Sequence, residues 1–146
     1  MLQAKDILGY CESLHQYKRR ETLTVKIGDL YMGSDYPIRI QSMTTTDTMD
    51  TAGSVAQITR MVQAGCELVR LTAPSINEAK NLENIKKQLV ANGIHVPLVA
   101  DIHFTPNAAE VAARIIEKVR VNPGNYADKK KFDIIEYTDA QYAEEL

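Results

Sequence analysis

Cysteine is scarce in this chain of 146 residues, which contains only Cys11 and Cys66 and no CxxC pair. A disulfide scaffold is therefore not expected, and reduced thiols in a cytoplasmic protein are predicted. Basic residues are not in excess, because 17 lysines and arginines stand against 19 acidic residues. No nucleic-acid or membrane-surface partner is predicted on this balance, although a local basic pocket remains compatible with it.

Long apolar runs are also missing from the sequence. No run approaches the roughly 18 residues that a membrane span needs, and the N-terminal segment lacks the apolar core of a signal peptide. Low-complexity stretches and Gly/Ser linkers are absent as well. With 45% hydrophobic and 25% charged residues, the composition predicts a globular domain that can bury a core.

Strand and helix patterns alternate from Pro37 onward. The predicted strands are 38–43, 67–72, 96–102 and 118–122, and the predicted helices are 52–64, 75–93 and 105–118. Ser75 and Glu78 form a capping-box pattern, Thr105 is a candidate cap, and Pro106 suits a first helical position. This alternation predicts an α/β fold with a parallel sheet and right-handed crossovers.

The two ends of the chain differ from this pattern. Residues 1–36 predict a helix over 2–17 and a β-hairpin around Gly28 and Asp29. Residues 127–146 form a charged tail with helical character and no clear further strand. Three segments are therefore expected, with boundaries near residues 36 and 126.

Five polar residues share one strand parity near the C-terminal ends of the predicted strands: Arg70, Asp101, His103, Arg120 and Asn122. Side chains alternate between the two faces of a strand, so these five are predicted on one face and the apolar residues between them on the other. In a TIM barrel that face is the lumen, and in an open α/β sheet the same strand ends line a crevice.

These residue types suit a small phosphorylated, polyhydroxylated ligand. Arginine offers a planar fork that matches phosphate oxygens. Asp101 can orient a hydroxyl or tune His103, and His103 can donate to phosphate or move a proton. The Thr-rich loop 44–48 and the segment 121–125 are expected to add donors nearby. The competing interpretation is a purely structural ion-pair network.

Four motifs carry a resemblance to a known family: "IQSMTTTDTMDT", "LVRLTAP", "PLVADIHF" and "KVRVNPGN". In this order and spacing they resemble 4-hydroxy-3-methylbut-2-enyl diphosphate synthase, the iron–sulfur oxidoreductase of the non-mevalonate isoprenoid pathway. The resemblance covers about residues 20–126, and the "TTTDTMDT" variant resembles the insert-containing branch. It implies the first half of a TIM (β/α)8 barrel over 37–126, with four parallel strands and crossover helices after the N-terminal helix and hairpin.

The resemblance also implies a substrate and a cofactor. The substrate would be methylerythritol cyclodiphosphate, with Arg70, Arg120 and Asn122 as substrate-binding positions and Asp101 and His103 as catalytic positions. A separate C-terminal domain would carry a [4Fe–4S] cluster on three cysteines and a glutamate, reduced by flavodoxin or ferredoxin. Cys11 and Cys66 match no cluster motif, so no metal ligand is expected in this chain.

The chain is therefore expected to be an N-terminal fragment that is inactive alone. Two alternatives remain open at this point: a pteroate-synthase-like barrel enzyme, and a non-catalytic half-barrel that binds phosphate. Four strands cannot close a barrel and leave two open edges, which favours a homodimer.

Overall fold

A parallel sheet of four strands lies at the centre of the computed structural model, which describes residue 15, residues 21–127 and residues 137–145. The strands are β1 (Val25–Ile27), β2 (Leu30–Met32), β3 (Gln41–Met43), β4 (Leu68–Thr72), β5 (Leu98–Ile102) and β6 (Lys118–Val121). The helices are α1 (Thr51–Gln63), α2 (Ile76–Ala91), α3 (Pro106–Ala113), α4 (Pro123–Ala127) and α5 (Asp139–Glu145). The order β3–β4–β5–β6 follows the chain, and every neighbouring pair is parallel. The predicted α/β alternation is therefore confirmed.

Two helix starts are encoded locally. Asp50 accepts a hydrogen bond from Gly53 N over 2.9 Å at the start of α1. The predicted capping box at α2 is present: Ser75 Oγ accepts from Asn77 N, and the Glu78 carboxylate accepts from Ser75 N. The hydrogen bond with Ser75 holds the pKa of Glu78 below its ordinary value. These caps satisfy N–H groups that helix geometry leaves unpaired.

Several predicted boundaries were wrong. Strand β3 begins at Gln41 rather than at residue 38, because the Ile40 N–H donates to the Glu67 side chain instead of joining the ladder. Helix α3 ends at Ala113 in a tightened turn, in which Ile115 N donates to Ala112 O. The Thr105 hydroxyl donates to Pro74 O and does not cap α3. Strand β6 ends at Val121, before Pro123, and the residues that follow form the short helix α4, for which no prediction was made.

The helix-facing side of the sheet forms the main core. Residues of β4 and β5 pack there against apolar side chains of α1, α2 and α3 and are almost completely buried: Val69, Leu71, Leu98, Ala100 and Ile102. Each large apolar side chain buried in this way contributes roughly 1.5–3 kcal/mol relative to exposure. This burial orients the sheet, so residues of the opposite parity must lie on its other face.

The hairpin of β1 and β2 covers one end of that other face. The two strands pair antiparallel, as predicted, and Ile27 is 3% exposed against Leu68 and Val99. Leu68 is the first residue of β4 and Val99 the second of β5, so the hairpin lies at the N-terminal ends of the strands. The C-terminal ends of the same face carry the polar residues.

Some expectations concern residues outside this description. Apart from residue 15, the helix predicted over 2–17 lies outside the described residues, and the segment boundaries near 36 and 126 stay predictions. In the part of the chain that is described, no helix is long and apolar enough to cross a membrane.

Candidate functional site

Strand register brings Arg70, Asp101 and Arg120 together on the face opposite the helices. Asp101 pairs with Arg120 across β5 and β6, and Thr72 pairs with Asp101 across β4 and β5. Arg70 lies two residues before Thr72 on β4, and its side chain is therefore on the same face of the sheet. Parallel strands in register align their alternation, so one carboxylate meets a guanidinium from each neighbouring strand.

Asp101 is the centre of this cluster and is only 4% exposed. Its Oδ1 accepts from Arg120 Nη1 over 2.9 Å, and its Oδ2 lies 3.5 Å from Arg70 Nε. Two guanidinium groups against one carboxylate leave a net charge of +1 while His103 is neutral. A buried carboxylate is tolerated when it is paired, and here the pairing leaves a surplus of positive charge.

His103 joins the cluster from just beyond the end of β5. Its Nε2 lies 3.4 Å from Asp101 Oδ2, and its side chain is half-exposed. The ring meets the Phe104 ring edge-on, with centroids 6.0 Å apart. An imidazole held by a carboxylate through one nitrogen keeps the other nitrogen available for proton exchange.

Asn122 is the one predicted site residue that no hydrogen bond or ion pair links to the cluster among the described residues. It follows β6 directly and is half-buried. Its backbone carbonyl accepts from Asn125 N in the first turn of α4, over 3.1 Å. Within the described residues, its side chain makes no hydrogen bond with Arg70, Asp101, His103 or Arg120.

Met43 belongs to the cluster although the sequence analysis did not select it. Its Sδ lies 3.3 Å from both Nε and Nη2 of Arg70, which is its register partner across β3 and β4. The sequence feature that could have identified Met43 is its position at the end of β3, where its side chain shares a face with that of Arg70. A methionine at such a position is ordinarily assigned to core packing.

The Thr-rich loop between β3 and α1 was expected to offer hydroxyl donors, but most of its hydroxyls bond to α1 and β4. Thr46 Oγ1 bonds with Ser54 Oγ over 3.0 Å, and Thr48 Oγ1 donates to Thr72 O over 2.6 Å. Thr45 Oγ1 accepts from Gln57 Nε2. These contacts fasten the loop to α1 and to the C-terminal end of β4.

Asn81 on α2 anchors this loop and was also missed. Its Nδ2 donates to Thr48 O over 2.7 Å and to Thr51 Oγ1 over 2.9 Å, and the residue is 9% exposed. The sequence feature that could have identified Asn81 is that a polar residue lies on the buried side of an amphipathic helix. Its hydrogen bonds link α2 to the loop that borders the cluster.

The potential metal ligands of the described residues are dispersed. Within the described part of the chain, no group of three His, Cys, Asp or Glu side chains is arranged to hold a metal ion. Cys66 is buried, and its thiol donates to Leu68 O over 3.1 Å. The donor set present here therefore does not fit an iron–sulfur cluster.

Comparison with known proteins agrees with this geometry. Residues 22–143 match the GcpE TIM-barrel domain. The chain belongs to the GcpE TIM-barrel domain family. The prediction of a partial TIM barrel is thus confirmed, and the pteroate-synthase-like alternative loses its basis.

Three curated relatives are each named 4-hydroxy-3-methylbut-2-en-1-yl diphosphate synthase (flavodoxin). The Akkermansia muciniphila protein is 55% identical over 94% of this GcpE-family chain and 24% of its own length. The Leptospira interrogans protein is 54% identical over 94% of the chain and 21% of its own length. The Parabacteroides distasonis protein is 56% identical over 89% of the chain and 21% of its own length. The chain thus spans about a fifth to a quarter of these relatives.

Proposed function

We propose that this GcpE-family chain is the substrate-binding part of an iron–sulfur oxidoreductase. The parent enzyme would reductively convert methylerythritol cyclodiphosphate to 4-hydroxy-3-methylbut-2-enyl diphosphate in isoprenoid biosynthesis. The names of the relatives support the reaction. The cluster around Asp101 supports the binding role, because it offers positive charge at the strand ends where barrel enzymes bind substrates.

The observation that carries the proposal is the sharing of Asp101 by Arg70 and Arg120. A single carboxylate neutralises one of the two guanidinium groups and holds both on the same side of the sheet. Both arginine side chains keep part of their surface exposed. A diphosphate approaching this face would complete the charge balance and receive charge-assisted hydrogen bonds from planar donors.

Each residue takes a role that follows from its contacts. Arg70 and Arg120 bind the diphosphate oxygens. Asp101 pairs with both arginines and with His103, so it supports the side chains that contact substrate oxygens and forms the proposed catalytic pair with His103. His103 lies at the exposed side and exchanges a proton with a substrate oxygen. Asn122 supplies a carboxamide beyond Arg120 on the same strand parity.

The electron-delivering part of the reaction requires other residues. A [4Fe–4S] cluster would supply the electrons in the parent enzyme, but the described residues do not fit one. The word flavodoxin in the names of the relatives supports a flavodoxin as electron donor. We therefore expect no reductive turnover by this chain alone. A cytoplasmic location and homodimer formation are part of the same proposal.

Binding of inorganic pyrophosphate to the full chain tests the proposal directly. Titration calorimetry should detect binding, and Arg120→Ala or Arg70→Ala should each weaken it. One charge-assisted hydrogen bond contributes roughly 1.5–3 kcal/mol, so each substitution should raise the Kd about tenfold or more. The matched control is Arg60→Ala, which removes an exposed arginine in the last turn of α1.

The Arg60→Ala control distinguishes the loss of a local contact with pyrophosphate from the loss of one positive charge on the chain. Arg60→Ala should leave the Kd within about twofold, since long-range charge effects between exposed groups are screened by salt. If Arg60→Ala and Arg120→Ala weakened pyrophosphate binding equally, the loss of affinity would be explained by the net charge of the chain alone. The absence of pyrophosphate binding by the unmodified chain would contradict the proposed role of the cluster.

A further inference from the structure

The thioether of Met43 occupies a defined position on Arg70. Its Sδ lies 3.3 Å from Nε and 3.3 Å from Nη2, so it spans the side of the guanidinium formed by these two nitrogens. Strand register supports the contact, because Met43 and Arg70 are paired across β3 and β4. Thr44 N donates to Arg70 O over 2.9 Å, which continues the pairing beyond the strand end.

The contact leaves one edge of the guanidinium for a ligand. Arg70 Nε is shared between Met43 Sδ and Asp101 Oδ2, the latter 3.5 Å away. Among the described residues, no hydrogen-bond acceptor contacts Nη1. Because the guanidinium is planar, fixing the Nε–Nη2 side also fixes the direction of the Nη1–Nη2 edge. That edge presents two parallel donors that suit two oxygens of one anion.

The chemical nature of the acceptor matters for the charge of the site. A thioether is a weak and neutral acceptor, so it orients Arg70 without compensating its charge. A carboxylate at the same position would balance the second guanidinium and bring the cluster to a net charge of zero. A leucine would fill similar space but would accept no hydrogen bond.

We propose that Met43 is a positioning residue for Arg70. Its sulfur holds the Nε–Nη2 side of the guanidinium and leaves the Nη1–Nη2 edge charged and directed toward a diphosphate. The part that concerns diphosphate rests on the proposed function. The part that concerns the contact between Met43 and Arg70 stands on its own geometry.

Arginine Nε–Hε NMR signals of the full chain test the contact without any ligand. The Arg70 signal is identified by its loss in Arg70→Lys. Met43→Leu should shift this signal or broaden it through faster exchange with water, whereas Met43→Gln, which keeps a neutral acceptor, should largely restore it. An unchanged Arg70 signal in Met43→Leu, with a native-like amide spectrum, would overturn the contact.

Pyrophosphate titration of the same variants tests the consequence for binding. Because Met43 acts through the orientation of Arg70 and does not itself bind the ligand, Met43→Leu should raise the Kd roughly two- to tenfold, which corresponds to about 0.4–1.4 kcal/mol. Met43→Gln should stay within about twofold of the unmodified chain, and Met43→Glu should bind more weakly than Met43→Leu because it adds a negative charge. The control Met49→Leu, at an exposed methionine outside the cluster, should have no effect.

A double-substitution cycle decides whether Met43 acts through Arg70. In an Arg70→Ala background, Met43→Leu should cause no further loss of pyrophosphate affinity. The same loss in both backgrounds would overturn the positioning role. If the unmodified chain binds no pyrophosphate, the ligand part of this inference falls together with the proposed function. The NMR result then decides the contact separately.

Discussion

Arg120 Nη1 donates to Asp101 Oδ1 over 2.9 Å, between residues that are register partners on β6 and β5. The second oxygen of the same carboxylate faces Arg70 and His103. Asp101 therefore holds three basic side chains while it is itself almost completely buried. Because this carboxylate pairs with both guanidinium groups, we propose that Asp101 arranges these cations and that the guanidinium groups meet the ligand.

Replacement of Asp101 by asparagine should lower the stability of the chain and make that stability depend on the presence of anions. The variant keeps the size of the side chain but leaves two neighbouring guanidinium groups without a counter-charge. Because both arginines are partly exposed, we expect a loss of about 1–3 kcal/mol of unfolding free energy. Pyrophosphate should then raise the melting temperature of Asp101→Asn more than that of the unmodified chain, as measured by thermal denaturation monitored by circular dichroism.

The control for this experiment is sodium chloride at matched ionic strength. It should screen charge in general without reproducing the pyrophosphate effect. Equal stabilisation of Asp101→Asn by both salts would argue against a specific anion at the cluster.

Glu67 should make the stability of the chain depend on pH in the acid range. Its carboxylate accepts from Ile40 N and pairs with Arg39, each over 2.9 Å, and these contacts hold the pKa of Glu67 below its ordinary value of 4.5. A carboxylate with a lowered pKa in the folded state stabilises above its unfolded-state pKa, and that stabilisation is lost as pH falls through the folded-state value. Urea unfolding of Glu67→Gln should therefore show lower stability than the unmodified chain near pH 7 and little difference at pH 3.

A second glutamate provides the comparison for Glu67. Glu83 pairs with Lys87 on the exposed face of α2. Glu83→Gln should change the stability by no more than about 0.5 kcal/mol at either pH, because exposed i,i+4 pairs contribute little. If Glu67→Gln follows the same flat profile, the link between Glu67 and the start of β3 contributes nothing measurable.

Self-association of the chain is expected from the edges of its sheet. Strands β3 and β6 are the outer members of the described four-stranded sheet, and Ile38 and Ile40 before β3 are 82% and 61% exposed. Unpaired strand edges beside exposed apolar side chains favour pairing with another chain. Sedimentation velocity across a range of concentrations should show a dimer that dissociates on dilution.

A charge at the edge should weaken that dimer. Ile40→Lys places a charged side chain beside β3, which is a common means of blocking edge pairing. Thr59→Lys on α1 adds the same charge away from the edge and should leave association unchanged. A concentration-independent monomer for the unmodified chain would refute the expectation.

Local patterns in the sequence were sufficient for the strands and helices of the repeating α/β part and for the direction of the polar side chains. Alternation along β4, β5 and β6 is a property of the backbone itself, so Arg70, Asp101 and Arg120 were predicted to share a face before any packing was known. The capping box at Ser75 and the hairpin at Gly28 are equally local, because a few adjacent residues satisfy their own hydrogen bonds.

Tertiary structure decided how those side chains are used. Contact between Met43 and Arg70 requires β3 to lie beside β4 in one register, and residues 27 positions apart give no local signal of it. The occupation of Asp101 by three partners depends on the register of β4, β5 and β6 together. The Thr48 hydroxyl was available on the sequence alone, but packing of α2 and β4 directs it to the Thr72 carbonyl. Sequence periodicity determines which way a side chain points, whereas the distance to its partner is set only when separate segments pack.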